Sequence, residues 1–69
     1  MGGAQQFVYR FNGEGEGTQE KVFDKNGDLS VPSVGGLMFL HERNWKVVKL
    51  DKEYWGSVPA FIVYLVSYR

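Results

Sequence analysis

The 69-residue chain has no cysteine and only one histidine. Without thiols there is neither a disulfide nor a thiolate cluster to staple the fold, and a lone His41 excludes metal centres built on paired imidazoles. No apolar run approaches the ~18 residues that a membrane-spanning helix needs. The start Met1-Gly2-Gly3-Ala4-Gln5-Gln6 lacks the charged lead and apolar stretch of a secretory signal. It also departs from an N-myristoylation start at Gln6, where Ser or Thr is wanted. Eight basic and eight acidic side chains cancel, which withholds the long-range attraction used by strong binders of nucleic acid or anionic membranes. The expectation is a cytoplasmic protein with no membrane segment, no metal and no cofactor.

What the chain does have is aromatic mass. Five Phe, four Tyr and two Trp make up 16% of the residues, enough to fill a small core that has no covalent support. The length allows one domain, expected over residues 6–69 behind a flexible terminus at 1–5. Charge is mildly segregated: residues 1–35 carry three basic and five acidic groups, and residues 36–69 carry five basic and three acidic.

Phe7, Tyr9 and Phe11 alternate with Val8, Arg10 and Asn12, the period of a half-buried strand, placed at 6–12. The stretch Asn12-Gly13-Glu14-Gly15-Glu16-Gly17 reads as a hairpin loop leading to a second strand at 18–24 with Val22 inward. Asn26-Gly27 makes a turn, and Pro32 and Gly35-Gly36 bend the chain into a third strand at 37–42. Arg43-Asn44 is expected as a short reversal. A fourth strand at 45–52 follows, with Trp45 and Val47 on one face and Val48 and Leu50 on the other. A loop through Gly56 and Pro59 delivers a fifth strand at 60–68. No segment carries a sustained helical period or a capping box. The fold class is all-β: a small five-stranded, strongly bent antiparallel sheet or SH3-like barrel, with an OB-like or open sheet as the other arrangements.

The run Ala60-Phe61-Ile62-Val63-Tyr64-Leu65-Val66 does not alternate, so both faces of the last strand want covering. Burying three side chains of the second face, at about 1.5–3 kcal/mol each, gains roughly 4–9 kcal/mol before association costs. Phe61, Ile62, Val63, Tyr64 and Leu65 are therefore candidates for an interface with a partner or in a homodimer.

Several segments mimic known chemistry without completing it. Asp24-Lys25-Asn26-Gly27-Asp28 opens like a calcium loop, but Leu29 stands where the turning glycine belongs and Gly35 where the bidentate glutamate belongs. It reads instead as a turn whose acids keep it soluble. In the glycine-rich stretch 13–17, Glu14 and Glu16 would repel a phosphate and no lysine follows. Ser30, Ser33, Ser57 and Ser67 sit in no nucleophile-elbow motif, so no catalytic residue is assigned. His41 is expected at a strand end, half exposed, and Trp45 in the core.

Tyr54 and Trp55, in a turn-rich stretch beside charged residues, are candidate contact anchors or a lid over a barrel end. With Arg43 and Lys46 they are also the residues a single-stranded nucleic-acid binder would use. Alternation places Lys46 and Lys52 on one face and Lys49 on the other, which divides the basic stripe. The leading expectation is a non-enzymatic protein–protein interaction module, with a homodimer as one form of it. A single-stranded nucleic-acid binder is the alternative, and a small oligomeric enzyme with its site between subunits is the third class. The order of Pro32, Gly35-Gly36, a strand, a tight turn, Trp45-Lys46-Val47-Val48 and an apolar last strand, over residues 32–66, resembles small β proteins of bacterial or phage type. That resemblance implies no activity.

Overall fold

The computed structural model describes residues 3–12 and 18–68. Alternating and β-branched segments become five strands: β1 (Gln5–Asn12), β2 (Thr18–Asp24), β3 (Leu37–Leu40), β4 (Arg43–Trp55) and β5 (Val58–Ser67). They form one sheet in the order β2-β1-β5-β4-β3, curled into a half-barrel. The small, strongly bent all-β architecture expected from the sequence is what is found. The pairs β1–β2, β3–β4 and β4–β5 are antiparallel. The central pair β1–β5 runs parallel, with Phe7 opposite Phe61 and Phe11 opposite Leu65, so the sheet is mixed.

This topology accounts for the unbroken apolar run. β5 is the middle strand, bonded to β1 on one side and to β4 on the other. Its odd residues Val63 and Leu65 enter the concave core with Phe7, Tyr9, Phe11, Trp45 and Val47, while Val22, Met38, Leu40, Leu50 and Phe61 pack around them. Ala60 and Ile62 are buried on the outer face. Strand five is thus covered within its own chain on most of its length.

Two sequence expectations are corrected here. The register slips between Val47, opposite Leu65, and Lys49, opposite Tyr64, leaving Val48 as the extra residue of a β-bulge. A bulge reverses the alternation beyond it and bends the strand. Leu50 therefore joins the core that holds Trp45 and Val47. Lys46 and Lys49 share the outer face, since they lie opposite Val66 and Tyr64, and Lys52 moves to the concave side opposite Phe61. The reversal between β3 and β4 is also earlier than expected. Arg43 and Asn44 are in strand, and the turn is His41-Glu42, with φ of 55° and 61°.

The turn after β2 is built by a side chain. Asp24 is buried, and its carboxylate accepts from Gln5 Nε2 at 2.8 Å, from the Leu29 N–H at 2.8 Å and from the Asp28 N–H at 3.1 Å. These bonds, the Gln5 amide first, hold its pKa below the ordinary aspartate range. Asp24 is a structural clamp on the turn, not the solubilising charge expected from the sequence. The connection then reaches β3 through Gly35, at φ 94°, whose N–H donates to the Val47 carbonyl at 2.8 Å.

Candidate binding surfaces

The residues singled out from the sequence do not converge. Tyr54 and Trp55 are consecutive on β4 and so point to opposite faces. Tyr54 is 64% exposed, with Lys52 Nζ 5.2 Å from its ring centre, too open to act as a packed lid. Trp55 lies on the outer face, its Nε1–H donating to Glu53 Oε1 at 3.1 Å and Lys21 Nζ 5.7 Å from its ring. Arg43 and Lys46 belong to the far end of the same strand. The eight residue steps from Lys46 to Tyr54 span about 25 Å. Arg43 packs its guanidinium 5.0 Å from the Trp45 ring and donates to Ser67 Oγ at 3.0 Å.

The five candidates on strand five are divided between faces. Phe61, Val63 and Leu65 point into the core, where Val63 and Leu65 are fully buried and have no surface to offer a partner. Ile62 is buried on the outer face, and Tyr64 beside it is half-buried.

The outer face brings together residues that the sequence did not single out. The register aligns Gln19, Arg10, Tyr64 and Lys49 in one row across β2, β1, β5 and β4. Arg10 and Lys49 approach the Tyr64 ring to 5.6 and 5.3 Å. Beside this row is an open cleft of about 200 Å³, with Val8 and Ile62 at its floor, Trp55 and Tyr64 as walls, and Arg10 and Lys21 on its rim. Asp51 and Glu53 share this face, and Asp51 lies 3.8 Å from Lys49.

The two sheet edges differ sharply. The β2 edge carries Glu20 and Lys21, charges of the kind that discourage edge-to-edge pairing. β3, Leu-Met-Phe-Leu, has none. Its Leu37 and Phe39 are 56% and 67% exposed, and Val34 and Val48 are exposed as well. The hydrogen-bonding parity of this edge follows from the Val47 N–H donating to the Gly36 carbonyl at 3.0 Å. Antiparallel pairing alternates bonded and non-bonded pairs, so the Gly36 carbonyl and the backbone groups of Met38 and Leu40 face β4, while the Gly36 N–H donates to the Ser33 carbonyl at 3.0 Å. Leu37 and Phe39 then direct theirs outward. Among the described residues β3 pairs with β4 alone. The sequence carries a signal for this edge, four uncharged residues between a glycine pair and a tight turn.

His41 is placed by tertiary contacts. Its Nε2 lies 3.0 Å from Glu20 Oε1 on β2, and its ring stands edge-on to Phe11 with centroids 5.5 Å apart. Among the described residues no three His, Asp or Glu side chains come together as a metal-holding group, and no helix is long and apolar enough to cross a membrane. The glycine-rich stretch 13–17, the extreme N-terminus and Arg69 lie outside the described residues. Compared with protein-family models, curated proteins and solved structures, the chain finds no match.

Proposed function

We propose that the protein is a non-enzymatic interaction module that engages an extended segment of a protein along the free edge of β3. The observation that carries this reading is the pairing of unguarded backbone groups with two exposed apolar side chains, Leu37 and Phe39, on one four-residue strand. Strand addition uses both: main-chain hydrogen bonds supply affinity and alternate side chains supply selectivity. Burying two such side chains at about 1.5–3 kcal/mol each offsets part of the cost of association. Within this proposal the chain is a cytoplasmic, SH3-like small barrel, a placement resting on composition and strand number.

The test is affinity capture from the cells of origin with the wild-type chain and with Phe39→Lys. A protein retained by the first and lost with the second supports the reading; retention that ignores the substitution removes it.

A second reading is favoured by the outer face, where Arg10, Lys21 and Lys49 stand beside Trp55 and Tyr64. Cations interleaved with aromatic rings are what single-stranded nucleic acid requires. Titration with a short oligonucleotide checks it: Trp55 quenching that weakens steeply with salt supports nucleic-acid binding, and silence at low salt excludes it.

A further inference from the structure

We propose that the occupant of the β3 edge is a second copy of this chain, joined through an antiparallel β3–β3 pair in which Leu37 of each copy lies opposite Phe39 of the other. This rests on the edge reading above and names its partner. The outward backbone groups of Leu37 and Phe39 permit three two-fold registers. Setting Phe39 opposite the partner's Phe39 drives Leu37 against the partner's His41, which is held in a turn at φ 55°. Setting Leu37 opposite the partner's Leu37 drives Phe39 against the partner's Gly35, at φ 94° and already bonded to Val47. The mixed register alone keeps both bonded pairs within Leu37–Leu40 and forms four inter-chain hydrogen bonds.

The same register is right for the side chains. Residues directly opposite share a face, so Leu37 and Phe39 of both copies form one apolar cluster on the outer face, with the two-fold axis at Met38. Charge does not oppose the contact. The chain is neutral, and the nearest cation row, Lys46 on β4, is separated from its counterpart by three strand spacings, about 14 Å, beyond the screening length of about 8 Å at physiological salt. Pairing the two edges and covering Val34, Leu37, Phe39 and Val48 removes on the order of 1,000 Å² in total, the lower limit of a specific interface. An interface at that limit belongs with weak, transient contacts.

The absence of cysteine makes a direct test available. In this register Met38 lies opposite the partner's Met38 in a non-bonded pair, where Cα atoms sit about 4.5 Å apart and a disulfide fits. Leu40 lies about 13 Å from its counterpart. Under mild oxidation Met38→Cys is expected to cross-link at least ~10-fold faster than Leu40→Cys. Sedimentation of the wild type should show dimer between about 1 μM and about 1 mM, weakened on the order of 100-fold by Phe39→Lys. A wild-type monomer throughout that range overturns the proposal whether or not the variants fold, and so does equal cross-linking at both positions in variants that keep the wild-type circular dichroism. If the monomer result comes with Phe39-dependent capture of another protein, the edge reading stands and the second copy is not its occupant.

Discussion

His41 and Glu20 meet across the mouth of the curled sheet, Nε2 to Oε1 at 3.0 Å, although they stand 21 residues apart and belong to opposite edges. A carboxylate only accepts, so His41 Nε2 carries the hydrogen. Both side chains are about half exposed, and an exposed pair of this kind contributes about 0–1 kcal/mol. The ring's edge-on contact with Phe11 adds about 0.5–1.5 kcal/mol. Glu20→Gln is therefore expected to cost less than ~1 kcal/mol in urea unfolding and His41→Ala about twice as much. Equal costs would mean that the Glu20 hydrogen bond, rather than the ring, fastens the turn.

Glu42 sits at φ 61° in that turn, a conformation natural to glycine and strained for other residues. Relief of that strain outweighs the added freedom of the unfolded chain, so Glu42→Gly is expected to raise stability by roughly 1 kcal/mol. The readout is the urea midpoint at fixed protein concentration. A loss of stability would show that the Glu42 side chain itself supports the turn.

Strand existence was legible because period-two alternation at Phe7, Tyr9 and Phe11 and the apolar run of β5 report local burial directly. Long-range features were not. The parallel β1–β5 pairing depends on strand order, which no local pattern encodes. The Val48 bulge inverts the parity of everything after it, so Leu50, Lys49 and Lys52 were assigned to the wrong faces by an otherwise sound rule. The turn moved from Arg43-Asn44 to His41-Glu42 because Phe11 and Glu20 hold the His41 ring, contacts invisible in a strand propensity. For the surfaces, Trp55 was picked out as aromatic in a polar stretch. Its outer-face neighbours Arg10, Lys21 and Tyr64 come from three other strands and assemble only through the register.

Stability should fall at both ends of the pH scale for identified reasons. Hydrogen bonds lower the Asp24 pKa in the fold, so its contribution is present above the unfolded aspartate value and is lost as pH drops through the lower folded one. Tyr9 shifts the other way: burial first, then the charges of Glu20 and Asp24, raise its phenol above the ordinary value. That contribution is complete below the unfolded tyrosine value and disappears as pH climbs through the folded one. Unfolding followed against pH should show the acid limb flattened by Asp24→Asn and the alkaline limb by Tyr9→Phe. Limbs unchanged by these substitutions would assign the pH dependence to other groups.

Trp45 offers the sharpest test of how the open end of the half-barrel is closed. Its ring is buried, stands edge-on to Phe11 at 4.8 Å, and donates its Nε1–H to the Leu40 carbonyl at 3.0 Å. That bond ties the side chain of β4 to the last residue of β3, just before the strained His41-Glu42 turn. Trp45→Phe keeps an aromatic ring against Phe11 but leaves the Leu40 carbonyl without its indole donor, a change expected to cost about 1.5–3 kcal/mol with the lost ring volume included. Trp45→Ala removes the packing as well, about 3–5 kcal/mol, against a whole-domain stability of about 5–15 kcal/mol. Circular dichroism melts should then show the alanine variant partly unfolded near room temperature and the phenylalanine variant folded with a lowered midpoint. A phenylalanine variant as stable as the wild type would mean that the Leu40 bond holds nothing, and that Phe11 and His41 alone close this end of the sheet.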